Sequence, residues 1–255
     1  MLRKSLLLIC GLMASGAYAG TQTWTFPSNS IQGGSNYGNY IQLQDSSGLS
    51  LKVTGWSDTG GSNDNRFESA MLMMYNGGIG LINREEGTGS PDHSVDSAGS
   101  SNDTDFLLLE FNEAINLDAF RLGWGYDNGN YWADVSIAAY GGSNFTGFNN
   151  VGWDNLLASN WVGIGNYSDS QPSSSYYYST QTSVTSKYWL IGAYNNYFSG
   201  LPDYNNGALG AGNDGFKLSG LKTEYSQPST GIPEPGILML FALGLLTLLK
   251  ARRHG

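Results

Sequence analysis

One cysteine, two histidines and seven prolines are spread over 255 residues, and only 13% of the chain is charged. A single cysteine excludes a disulfide framework and a thiolate zinc site. With 21 acidic residues against 12 basic ones, no basic surface exists to hold a phosphate backbone, so nucleic acid is excluded as a partner. No Gly-x-Ser-x-Gly elbow of a serine hydrolase occurs. What the chain has instead is glycine (36), tyrosine (16) and tryptophan (7), too much aromatic content for a disordered acidic tail.

The two ends are unlike the rest. Met1-Leu2-Arg3-Lys4 opens a positively charged start, Leu6 to Met13 is mainly apolar, and Ala17-Tyr18-Ala19 supplies small residues at cleavage spacing. This is the pattern of a secretory signal peptide over residues 1–19, with Ala17 and Ala19 at the cut and Gly20 as the mature start. The bulky Ile9 ahead of Cys10 argues against a lipoprotein signal, and cleavage removes the only thiol. At the other end a linker, 226–231, leads to Ile232-Pro233-Glu234-Pro235-Gly236, an apolar stretch 237–249, and Lys250-Ala251-Arg252-Arg253-His254-Gly255. The stretch is 13 residues long, about 20 Å as a helix, and falls short of the roughly 17 residues at which spanning helices begin. Snorkelling of Lys250, Arg252 and Arg253 extends its reach, and the same cluster places the C-terminus on the cytoplasmic side. Thr247 is its only polar side chain, which excludes the amphipathic helix of a soluble domain.

Pro233-Glu234-Pro235, a short transmembrane helix and a terminal arginine cluster together resemble the PEP-CTERM sorting signal of Gram-negative bacteria. Ile232 and Gly236 depart mildly from the usual flanking residues. The resemblance implies an exported precursor, anchored in the inner membrane with its body outside. An exosortase then processes it near the Pro-Glu-Pro, and the product reaches the cell surface or matrix. Exosortase, the export machinery, the inner membrane and an exopolysaccharide are the partners it implies, with biofilm as the setting.

Without its ends the chain keeps 7 basic residues against 20 acidic ones (all but Glu234), a net charge of −13 over 20–231. Strand signals recur at Thr21–Phe26, Leu51–Trp56, Ala70–Tyr75, Phe106–Phe111, Leu117–Gly125, Tyr131–Tyr140, Lys187–Tyr194 and Phe216–Tyr225, bounded by Gly, Asn, Asp or Ser. Ala133–Ala138 alternates as a strand buried on one face does. Asp127-Asn128-Gly129 reads as a hairpin turn. About eight strands predict an all-β fold, a single jelly-roll-like β-sandwich over 20–225, with 141–207 as long polar loops. Pro91-x-His93-x-x-Asp96, followed by an apolar strand and a second strand ending Gly123-Trp124, also resembles one group of exosortase-dependent surface proteins. That resemblance implies a shared sandwich and no chemical activity.

Several constellations compete for a role. His93, beside Asp92, Ser94 and Asp96, reads first as an ordinary surface histidine, then as a cation ligand or loop fastener, and last as a triad base. Glu85, Glu86, Glu110 and Glu113 are the carboxylates from which a glycosidase pair would be drawn, but solvent-facing strand ends are the favoured reading of them. Asp58 with Asn63, Asp64 and Asn65, and Asp203 with Asn205, Asn206, Asn213 and Asp214, offer oxygens for a structural calcium. Turn formation explains those residues as well, so no cofactor is assigned and the metal stays open. Tyr126, Tyr131, Trp132, Trp153, Trp161 and Tyr176–Tyr178 are the aromatics available for stacking on sugars. Three consecutive tyrosines cannot all face inward, which makes Tyr176, Tyr177 and Tyr178 the candidate glycan contact. The expectation is a noncatalytic envelope or matrix protein, with a carbohydrate-binding module as the alternative and a glycan-modifying enzyme behind it.

Overall fold

A computed structural model describes residues 18–227 apart from 28, 63–64 and 99–102, together with residue 252. The described residues form fourteen strands: β1 (Tyr18–Thr25), β2 (Ile31–Gln32), β3 (Tyr40–Gln44), β4 (Ser50–Gly60), β5 (Arg66–Ser69), β6 (Met71–Tyr75), β7 (Gly78–Ile82), β8 (Val95–Asp96), β9 (Asp105–Asp127), β10 (Ala133–Tyr140), β11 (Trp161–Ser170), β12 (Tyr178–Ser179), β13 (Ser186–Ala193) and β14 (Asp214–Gln227). Single 3-10 turns lie at Trp153–Asn155 and Asn196–Phe198. The fold is all-β, and its strands pair antiparallel to make two faces of a sandwich.

One strand belongs to both faces. The first half of β9 pairs with β4 and β13, and the sheet continues through β10 to β11. Its second half pairs with β14 on one edge and β12 on the other, while β14 also meets β1, β7 and β8. The sequence suggests two strands here, Phe106–Phe111 and Leu117–Gly125; the structure joins them into one of 23 residues. No Gly or Pro interrupts 106–122, so nothing forces a turn. The chain changes sheets at the exposed Asn112-Glu113-Ala114, where pairing to β4 and β13 gives way to pairing to β14.

Side chains alternate along a strand, so a sheet covered on both faces must be apolar at every position. The first half of β9 and the middle of β13 meet that condition closely, and β10 does so apart from its buried, hydrogen-bonded Asp134 and Ser136. Leu107, Leu109, Phe111, Trp189, Ile191, Val135 and Ile137 point into the core between the sheets, where Phe120, Leu122, Phe216 and Leu218 meet them. Phe106, Leu108, Leu190 and Ala138 point the other way, into a second core. The lid of that second core comes from Phe148, Trp153, Leu156, Trp161 and Phe198, whose rings pack edge-on, as between Phe67 and Trp153 at 4.8 Å. The stretch 141–207 is therefore more than polar loop: it contains β11, β12 and β13, and its aromatics roof the first sheet. For the same reason β10 is buried on both faces rather than one.

Asn128 (φ 44°) and Gly129 (φ 96°) make the turn expected after β9. It is not a hairpin, because β10 pairs with β11 and β13 and the turn carries the chain from one sheet to the other. At Gly78 (φ 115°) the β6–β7 turn comes so close to β14 that a Cβ would stand 2.2 Å from the Leu218 carbonyl oxygen. Gly78→Ala is expected to cost at least about 2 kcal/mol in urea unfolding, since both backbone strain and a main-chain clash result. Gly48→Ala, also at positive φ (91°) but with nothing within 4 Å, is the control and should cost about 1 kcal/mol.

Candidate functional site

Alternation along β9 and β14, shifted by bulges at Gly123 and Ser219, puts Leu122, Phe216 and Leu218 inside and turns Trp124, Arg121, Lys217 and Lys222 to the outer face of the second sheet. Lys217 Nζ lies 4.0 Å from the Trp124 ring centroid and 4.6 Å from that of Tyr75. Trp124 stacks with Tyr126, and Tyr75 packs on His93 at 4.7 Å. Further along, Tyr177 receives Arg121 at 4.9 Å and Lys222 at 4.6 Å. Arg121 is held by its Nε–H to Ser219 Oγ (3.0 Å) and by Nη1 to the Ser174 carbonyl (2.7 Å). Three of the body's seven basic residues thus share one face with five aromatic rings. The ion pairs between described residues, Arg66–Asp154 and Arg84–Glu68, lie elsewhere.

The three tyrosines of 176–178 fan apart, as an extended run must. Tyr176 is 59% exposed, Tyr177 lies beneath the two cations, and Tyr178 turns inward to stack on Phe120, its hydroxyl bonded to Gln171. Tyr131 is exposed, whereas Trp132 donates to Asp127 Oδ2 at 2.7 Å. Trp153 and Trp161 are core residues and take no part in any surface.

The second feature is acidic and internal. Carboxylate oxygens of Glu86, Asp96 and Asp105 lie within 4.8 Å of one another. They come from three places: the loop after β7, β8, and the first residue of β9. Asp96 and Asp105 have no exposed surface. Asp96 accepts from Ser94 Oγ (3.1 Å) and the Ala98 N–H (3.2 Å), and Asp105 Oδ1 from Asn83 Nδ2 (3.2 Å). Burial pushes both well above the usual carboxylate range. Asp105 and Glu86 add to the rise at Asp96, and Glu86 to that at Asp105. Nearby Lys217 is lowered to about 8 by its own burial, with Asp96 opposing. In sequence, Asp96 stands out only as a neighbour of His93. The legible signal is Asp105, an acid placed directly against Phe106-Leu107-Leu108-Leu109.

The remaining sequence candidates fasten loops. His93 Nδ1 contacts the Gly89 carbonyl at 2.5 Å, and the Ser94 hydroxyl donates to the Pro91 carbonyl, away from any His93 dyad. Asp203 accepts from Ser168 N, Ser168 Oγ and Gly207 N, with Asn205 Nδ2 bonded to the Ser168 carbonyl. Asn206 takes a positive φ of 58° in the same loop. Asn213 Nδ2 bonds Asp127 and Asp214 accepts the Asp134 N–H, whereas Asp203 fastens its own loop, so the second group of oxygens is divided between separate hydrogen-bond networks. Asp58 accepts the Thr104 N–H at 2.6 Å, while Asn63 and Asp64 lie outside the described residues; Asn65 is exposed. Of the four glutamates only Glu86 joins a carboxylate cluster; Glu110 faces Lys52 and Tyr188 across β9, and Glu85 and Glu113 are exposed.

Residues 231–253 match the family model of the PEP-CTERM protein-sorting motif. The chain carries an exosortase sorting signal. It is an exported protein, processed at a membrane through that signal. No curated protein and no solved structure matches the chain. Pro233, Glu234, Pro235, Lys250 and Arg253 of the signal lie outside the described residues, as do the 237–249 stretch and Ala17; Arg252 is described as helical and exposed. Ala19 and Gly20 fall within β1. Among the described residues no helix is long and apolar enough to cross a membrane.

Burial raises Asp58 to about 7, Asp134 to about 6 and Asp214 to about 9. Above the ordinary carboxylate pKa of 3.8 the folded chain therefore keeps protons that the unfolded chain has released. Stability must then fall as pH rises from about 4 towards 9. Each such carboxyl costs about 1.4 kcal/mol per pH unit between its unfolded and folded pKa, and nothing more above the latter. Thermal melts should give a higher Tm at pH 5 than at pH 8.5, and Asp58→Asn should narrow that difference.

Proposed function

We propose that the body is a noncatalytic component of the cell envelope or the extracellular polysaccharide matrix. Residues 1–19 direct export and are removed. The 237–249 helix, stopped by Lys250, Arg252 and Arg253, holds the precursor in the inner membrane until exosortase acts near Pro233-Glu234-Pro235. The match of 231–253 to the sorting motif is the observation that carries this reading. A noncatalytic role is supported by the state of the nearest reactive groups: the Ser94 hydroxyl and His93 Nδ1 are both committed to main-chain carbonyls, and Asp96 and Asp105 have no exposed surface.

Two prolines disfavour a helix in the Pro233-Glu234-Pro235 segment, which would let an enzyme in the membrane grip it without unwinding one. Replacing Glu234, or both Pro233 and Pro235, is expected to abolish processing while leaving the body folded. Intact-mass spectrometry of the protein from its host checks this; a mutant with the wild-type C-terminus would sink the sorting reading.

A second reading, contact with an acidic glycan, is favoured by the outer face of the second sheet. On a body of net charge −13, Arg121 and Lys222 with Tyr176 and Tyr177 form a local cationic, aromatic surface that would orient an anionic chain to one side. Sedimentation with an acidic polysaccharide should fall about tenfold in the double variant Arg121→Ala, Lys222→Ala, and should weaken for the wild type as salt rises. Equal binding of the variant, or binding indifferent to salt, removes this second reading.

A further inference from the structure

Proximity of acidic side chains is common on protein surfaces, but the cluster of Glu86, Asp96 and Asp105 is internal and its hydrogen bonding is incomplete. Asp105 has no exposed surface, and among the described residues its Oδ2 has no hydrogen-bond partner. Asn83 Nδ2 serves Asp105 Oδ1, the Ser57 hydroxyl and the Asp96 N–H also act on the Asp105 carboxyl, and the Ala98 N–H serves Asp96, which leaves Oδ2 itself without a donor. A buried carboxylate oxygen without a donor costs roughly 1–3 kcal/mol or more, and an ion is one standard reason for finding such an atom in a native fold.

We propose that Glu86, Asp96 and Asp105 bind one calcium ion, which ties the loop after β7 and strand β8 to the first residue of β9. The donor set is entirely oxygen, which selects a hard cation over zinc or copper. Calcium takes ligands at about 2.3–2.6 Å, so oxygens on opposite sides of it stand about 4.6–5.2 Å apart. All three oxygens lie within 4.8 Å of one another, close enough for one such ion to touch them all. Binding requires Asp96 and Asp105 to give up the protons that burial keeps on them; the three carboxylates then carry −3, the ion supplies +2, and buried Lys217 stands close enough to Asp96 to interact with it. An exported chain that has lost its only cysteine gains in this way a cross-link between three segments that a disulfide cannot supply.

The test uses the mature protein purified from its host, stripped with a chelator and titrated with calcium chloride by calorimetry, with thermal melts alongside. The expected result is one equivalent bound, in the 10⁻⁵–10⁻³ M range typical of sensors and extracellular modules (an order-of-magnitude estimate), and a Tm raised by calcium. Asp105→Asn should weaken binding at least tenfold. Because Asp105 is internal and its substitution can compromise folding, Glu86→Gln at the half-buried member is the second variant, and its circular dichroism should be unchanged while affinity drops. Absence of both heat and Tm shift in the stripped wild type overturns the site. So does wild-type affinity in either folded variant, or displacement of calcium by an equal concentration of magnesium.

Discussion

The structure depends on a single strand being shared. Because β9 runs for 23 residues with no Gly or Pro before Gly123, its first half must supply a centre to one sheet and its second half a centre to the other. Side chains at alternate positions of the first half then face two different apolar spaces, Leu107 and Leu109 one way, Phe106 and Leu108 the other. The second space has to be closed by something, and the aromatic residues of 145–161 and Phe198 close it. Both functional features hang from the same strand. Asp105 begins it, and Arg121 and Trp124 stand near its far end.

An exported body without thiols has to secure long connections by other means. Here aspartates do it, each accepting main-chain N–H groups from a neighbouring segment: Asp58 from Thr104, Asp134 from Asp169 and Gly210, Asp203 from Ser168 and Gly207, Asp214 from Asp134. Charge-assisted bonds of this kind are stronger than neutral ones, but burying the carboxylate opposes its ionisation. The raised pKa values of Asp58, Asp134 and Asp214 are the physical trace of that compromise. Part of the strongly acidic composition therefore serves internal architecture as well as solubility.

Much of the outline is readable in the sequence where a signal is local. Gly, Asn and Asp at turns, β-branched and aromatic runs between them, and the absence of amphipathic helix patterns point to an all-β body. All eight expected strand segments appear close to their expected places, counting the two halves of β9. The short strands β2, β5, β8 and β12 carry too few residues to show any periodicity. β7 and β11 escape a reading by local signal because Gly78, Gly80, Gly163 and Gly165 look like loop residues, yet these glycines let other backbone or side chains come close. Trp153 and Trp161 look like surface aromatics for the same underlying reason: composition reports a polar neighbourhood in sequence, and burial depends on the neighbourhood in space.

By itself the sequence determined that this protein carries an exosortase sorting signal, and its class of fold. A sorting signal is read as a linear segment by an enzyme, so order and spacing in 231–253 suffice. Strand and turn preferences likewise act over a few residues. Only the tertiary structure decided which side chains meet. Glu86, Asp96 and Asp105 lie on separate segments with nothing in their spacing to link them, and Tyr177 is separated from Lys222 by 45 positions of chain. Such encounters are set by sheet register and by the crossing of β9 between sheets, and those follow from how two cores are filled together.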